Sequence, residues 1–276
     1  MAKVHSSAYG ESRLRMLRVL QRGDRHDPKD LTIALRFEGA VEAMVPGEAI
    51  KNLVHRVVRE QEHAASAIES LALELCAQIL ARHPEIGLAR VDIAEQPWAR
   101  LDAGGKAQGQ AFTPAGVERR TASVTSNATR VSVSSGLENL VLLRTGGFAP
   151  TSRGRPADEP TTDGLQRLFV ATLAARWAYT SGDIAFAPYR AGVRQAIVET
   201  FAWHKGPTIR ATLAAIAEVV LASYQEIAQI TLSLQEHPYR PVDLLELSID
   251  GDALFVVRDE PVGVIEITVD RDDRSH

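Results

Sequence analysis

"VRQAIVETFAWHKGPTIRATL", residues 193–213, is the stretch on which the fold turns. Apolar residues recur at helical spacing on both sides of His204–Lys205–Gly206–Pro207, so it reads as two helices joined by a short break. The spacing extends them to about 188–203 and 207–223. Each carries an arginine near its apolar face, Arg194 and Arg210. These are either surface charges or two cations converging on an anionic ligand.

A similar helix pair precedes them. "GEAIKNLVHRVVREQ" (47–61) places Ile50, Val54, Val57 and Val58 on one side. "SAIESLALELCAQILARH" (66–83) carries a stripe of Ile68, Leu71, Leu75, Ile79 and Leu80. Strand-like alternation flanks this first pair at 13–20 and 30–45, with "QRGDRHDPK" as a polar link, and again at 88–98, 109–120, 129–134 and 139–145. "DAGGK" (102–106) has the turn chemistry of a hairpin. In the second half, 165–179 fits helix or strand by pattern alone. Strands are expected at 226–234, 243–249, 253–258 and 262–269, the last two parted by Asp259–Glu260–Pro261. Strands, a helix pair and more strands, twice over, predict an α+β chain of two tandem modules. The polar, Pro- and Gly-rich stretch 149–164 is the expected boundary, giving modules 1–148 and 149–276.

With 276 residues the chain can bury one large core or two smaller ones. Its 31 basic and 35 acidic residues leave a net charge of −4, which argues against a nucleic-acid binder that relies on bulk positive charge. No run reaches the roughly 18 apolar residues of a membrane helix. The first twenty residues lack the apolar centre of a secretory signal, and the last five match no lipidation or peroxisomal address. Cys76 is the single cysteine, so neither an internal disulfide nor a thiolate metal cluster is expected. These features predict a soluble cytoplasmic protein. HExxH, Walker A, Rossmann glycine and GxSxG patterns are all missing, and no metal is implied.

Several stretches, in order along the chain, resemble the uricase (urate oxidase) family. They are "YGESRLRMLRV" (9–19), "VPGEAIKN" (45–52), "VDIAEQPWARL" (91–101), "SSGLENLVLLRT" (134–145), "DEPTT" (158–162), "VRQAIVETFA" (193–202), "TIRATL" (208–213) and "EPVGVIEITV" (260–269). The resemblance implies two T-fold modules and a homotetramer enclosing a β-barrel tunnel. It also implies oxidation of urate by O₂ at subunit interfaces, with no metal or organic cofactor. In that family an Arg and a Gln grip the edge of urate, a Phe stacks on it, a Lys–Thr pair with a nearby His moves protons, and an Asn helps define the O₂ site.

Matched position by position, Arg194 keeps the arginine, whose bidentate guanidinium suits a planar anion. The other positions differ. Glu11 stands at the relay lysine, Gly47 at the relay threonine and Glu48 at the adjacent aspartate. Arg210, after Ile209, stands at the glutamine, and Ser152 at the stacking phenylalanine. In "SLQEHPYRPVDL" (233–244), Glu236 falls at the asparagine and Pro238 at the histidine, with His237 one residue away. Arg210 then either joins Arg194 on an anionic ligand or neutralises one of the new carboxylates, Glu236, Glu48 or Glu11. Three functions remain open: urate oxidation through a rearranged relay, another substrate or reaction on the uricase fold, or a non-catalytic binding or scaffold protein.

Overall fold

A computed structural model describes residues 7–39, 47–60, 67–145, 168–206, 208–242, 254–257 and 263–271. The expected boundary at 149–164, Ser152, the proposed strand at 243–249 and the turn at 259–261 lie outside the described residues, as do 40–45 of the second strand.

The element order repeats. A strand pair, β1 (Ser7–Arg22) and β2 (Arg25–Gly39), leads to α1 (Gly47–Glu60) and α2 (Ile68–Arg82). Strand β3 (Ile86–Gln96), a small hairpin of β4 (Trp98–Ala103) and β5 (Lys106–Pro114), and β6 (Arg119–Asn127) follow. The series then recurs as β7 (Val131–Arg144), β8 (Phe169–Tyr179), α3 (Phe186–Trp203), α4 (Ile209–Ser223), β9 (Ile227–His237), the pair β10 (Tyr239–Pro241) and β11 (Phe255–Val257), and β12 (Val264–Asp270). The chain is therefore α+β, with a large antiparallel sheet and four helices among the described residues.

Two compact units divide it. The first holds residues to Glu138 with Arg176–Ala191, and the second holds Asn139–Ala175 with Gly192 onward. In the first, strands run β1-β2-β3-β6-β7, each antiparallel to the next, and α2 packs on β3 and β6. In the second, strands run β7-β8-β9-β12, and α4 packs on β9 and β12.

The repetition reaches single residues. "YGESRLRMLR" (9–18) in β1 and "SGLENLVLLR" (135–144) in β7 share a glycine, a left-handed residue three places on, and a closing arginine. Arg13 has φ 59° and Asn139 φ 60°. In β1 this marks a bulge between Glu11 and Leu14. Arg18 donates to the carbonyl of Arg59 at 3.0 Å, in the last turn of α1. Arg144 donates to those of Phe201 and His204 at 3.3 and 2.9 Å, at the end of α3. In both units a strand arginine thus satisfies carbonyls that a helix C-terminus leaves open, at the negative end of its dipole.

Three sequence expectations are corrected, and one that was left open is decided. The polar link 21–29 is mostly strand: the turn is only Gly23–Asp24, with Gly23 at φ 60°. Pro28 is tolerated in β2 because the pairing with β3 begins only at Asp30. Residues 109–120 span the end of β5 and the start of β6, broken after Pro114. The segments 129–134 and 139–145 form one strand, β7, since a single left-handed residue kinks a strand without ending it. The segment 165–179, open between helix and strand by pattern, holds strand β8 over Phe169–Tyr179, where Ala171, Leu173, Ala175, Trp177 and Tyr179 are buried at period two.

Two carboxylates lie inside the first unit. Glu69 of α2 is fully buried, accepts from the Ser135 hydroxyl and lies 3.5 Å from Arg190. Ser135 also meets the Tyr179 hydroxyl at 2.9 Å, and the Trp177 indole N–H donates to that hydroxyl at 2.8 Å. Burial, partly countered by these hydrogen bonds, pushes the Tyr179 pKa up to about 12, so its hydroxyl stays protonated. Glu95 is 3% exposed. Burial favours its neutral form, but Lys29 at 3.0 Å, together with Arg120 and Arg190, outweighs this and holds the carboxyl below its ordinary value. Glu95 therefore stabilises the fold fully above the pKa of an unfolded glutamate, about 4.3. That contribution is lost as the pH falls through the lower folded value. Glu95→Gln should cost roughly 2 kcal/mol at neutral pH and make the acid limb of the stability curve shallower. Urea unfolding from pH 3 to 7 checks both effects.

Candidate active site

The expected site residues fall into two groups, one in each unit. In the first unit, the β1 bulge turns Glu11 toward the start of α1. A β-carbon at Gly47 would fall on the Glu11 carboxylate, so the glycine is what makes room for it. Lys51, one turn along α1 from Gly47 and on the same helix face, brings its ammonium within 3.9 Å of Glu11 Oε2. The Glu11 side chain is 29% exposed and that of Lys51 38%. Glu48 is exposed in the first turn of α1, where a carboxylate suits the helix dipole. A pocket of about 460 Å³ between α1 and the far half of β1, lined by Met16, Leu20, His55 and Val58 among others, includes none of the expected residues.

In the second unit, α3 and α4 carry the two arginines. The break between them is fixed by side chains. Thr208 caps α4, accepting from the Ala211 N–H at 3.1 Å, and His204 Nδ1 meets the Thr212 hydroxyl at 3.0 Å. Ile209, the first residue of α4, is buried and anchors its start. Arg194 and Arg210 are both exposed. Among the described residues of its own unit Arg210 makes no hydrogen bond or ion pair; in the first unit, Glu11 has Lys51 at 3.9 Å. Arg210 lies in the first turn of α4, which contains no acid. A cation at the positive end of a helix costs about 0.3–1 kcal/mol, and a bound anion would relieve it.

On β9, the Glu236 N–H donates to the Gly263 carbonyl at 3.3 Å. His237 ends the strand, its Nε2 2.8 Å from the Thr172 hydroxyl of β8, and Pro238 is half-buried between β9 and β10. The imidazole is thus held by a hydroxyl in its own unit. Among the described residues no group of three His, Cys, Asp or Glu is placed to hold a metal ion, and no helix is long and apolar enough to cross a membrane. Burial pushes the Cys76 thiol up to about 12, which leaves it unreactive.

A protein-family model described as Uricase matches residues 13–125 and 133–266. The chain belongs to the uricase family. It is 27% identical to the uricase of Danio rerio, over 98% of this chain and 95% of that one. It is 25% identical to the uricase of Arthrobacter globiformis, over 96% and 88%. The crystal structure of the Arthrobacter globiformis uricase superposes with a TM-score of 0.87 at 22% identity, covering 100% of this chain and 97% of that one. A uricase from Bacillus fastidious gives 0.78 at 16%, over 97% and 94%. The T-fold of this uricase-family chain is thereby shown.

Two residues of these groups escaped the sequence reading. Lys51 lies inside a stretch already matched, and its four-residue spacing from Gly47 was the available signal. Thr172 had none, because its segment fitted helix and strand equally well until β8 fixed which side chains face β9.

Proposed function

We propose that this uricase-family protein oxidises a planar heterocyclic anion, urate or a close relative, with O₂ and without metal or organic cofactor, from a rearranged site. The observation that carries this reading is Arg210, a bare, exposed cation in the first turn of α4, on the helix pair that also carries Arg194. Among the described residues that charge has no partner, and an anion bound beside the start of α4 would supply one. Arg194 supplies a bidentate fork for the flat edge of that anion. Glu11, Gly47, Glu48, Ile209, Ser152, Glu236 and His237 are the other residues assigned to the site.

A second reading has its own support. Gly47 offers no hydroxyl and Glu11 reverses the charge of the family's lysine, which favours a different heterocycle, a different reaction or a non-catalytic binding role. Loss of a proton relay removes ~10²–10⁴-fold in rate unless it is replaced. Urate turnover by the wild-type chain should therefore be slow.

Arg210→Gln separates a ligand role from a structural one. It should weaken anaerobic urate binding by about 1–3 kcal/mol, read by calorimetry. It should leave the melting temperature unchanged or slightly raised, since an unfavourable dipole contact disappears. A clear fall in thermal stability with unaltered binding would assign Arg210 to the fold.

The protein is further proposed to act as a homotetramer. In each unit the sheet ends on an edge strand, β1 or β12, and paired edges between copies would satisfy their open hydrogen-bonding groups. Light scattering at micromolar concentration should give four times the 30.0 kDa chain mass; a monomer mass would refute it.

A further inference from the structure

Strands β4 and β5 form a two-stranded ribbon outside the main sheet. No residue of either strand is buried. The ribbon therefore brings no core of its own, and an isolated two-stranded hairpin is at best marginally stable in water. It is held against the β1–β2 turn. Arg100, with 16% of its side chain exposed, donates to the His26 carbonyl and to Asp27 Oδ1 at 2.6 Å. The same guanidinium holds the ribbon's other strand. It donates to the Gly109 and Gln108 carbonyls at 2.7 and 3.4 Å and lies 5.0 Å from the centre of the Phe112 ring. Among the described residues no other side chain of β4 or β5 hydrogen-bonds beyond the ribbon. Gly109 lets the two backbones meet, since a β-carbon there would fall on the Asp24 carbonyl. At the base, Gln96 Nε2 donates to the Gly116 carbonyl at 3.0 Å, and Gly116 has φ 108°, a conformation that favours glycine.

We propose that the β4–β5 ribbon is a strap that opens and closes on the β1–β2 turn as a local unit, hinged at Pro97 and Gly116, with Arg100 as its latch. One side chain joins the turn, β4 and β5, so its loss frees the whole ribbon while α2 stays packed on β3 and β6. Opening also relieves a cost of the closed state. No group of the chain accepts from the buried Trp98 indole N–H, which reaches water once the ribbon lifts. A segment with few buried contacts and one charged tie belongs to the low-stability end of a fold, where local opening precedes global unfolding.

Hydrogen exchange of the purified protein, read by mass spectrometry on peptides from β3 and β5, tests this. In the wild type, β5 amides should be protected, yet exchange at least about 100-fold faster than those of β3. Arg100→Ala should speed β5 exchange by a further factor of roughly 10 to 100, with β3 close to wild type. Gly109→Ala keeps the latch but presses on the Asp24 carbonyl, and it should move β5 in the same direction. Arg100→Lys should hold the strap only in part, because an ammonium cannot span the same set of acceptors. Strands β3 and β5 exchanging together in the wild type, or β5 without protection there, would overturn the proposal. So would a β5 rate unchanged by Arg100→Ala, or a β3 rate that rises as much as that of β5 in both alanine variants.

Discussion

Arg190→Met is expected to destabilise the protein by about 3–5 kcal/mol, which for a chain of this size is roughly 10 °C in melting temperature. Arg190 lies 3.5 Å from Glu69, whose side chain is fully buried and whose other oxygen accepts from Ser135. Removing the guanidinium strands a carboxylate where water cannot reach it, and it weakens the field that keeps Glu95 charged. The cost arises from the orphaned charge. Arg190→Met combined with Glu69→Gln should therefore recover much of the loss, since the amide still accepts from Ser135. Thermal melts of the two variants test this. A single mutant melting within about 2 °C of wild type would show that the network carries little stability.

The second large effect is functional. Arg194→Ala should weaken anaerobic urate binding by at least about 100-fold, or roughly 3 kcal/mol, with turnover falling in step. Folding should be little affected, because the side chain lies on the exposed face of α3. Arg194→Lys should rescue poorly, because an ammonium is a point charge and cannot form two parallel hydrogen bonds to a flat edge. Calorimetry and oxygen uptake on the three proteins supply the comparison. Unchanged binding in Arg194→Ala would remove the arginine from the site.

The helices and the duplicated order were legible in the sequence because both rest on local periodicity. The stripe of α2 and the break at 204–207 needed no tertiary information. Readings stayed open or failed where tertiary context decides. Segment 165–179 has alanines and leucines that suit a helix, and only burial on a sheet face selects strand for β8. The left-handed Asn139 reads as a strand end in sequence, yet it is the counterpart of Arg13 in the first repeat. Within the site, matching positions identified Glu11 and Gly47 separately. Their steric dependence is a through-space fact, and so is the pairing of Glu11 with Lys51. The sequence also left two roles open for Arg210. The two differ only in which neighbours Arg210 has in space, which sequence does not give.

The central claim is most directly tested by following urate absorbance and dissolved O₂ together, in metal-free buffer, with purified wild-type protein and Arg194→Ala. The account predicts slow loss of both by the wild type, in equal molar amounts, and neither loss by the variant. Urate and O₂ left untouched by the wild type, or consumed equally by Arg194→Ala, would contradict it.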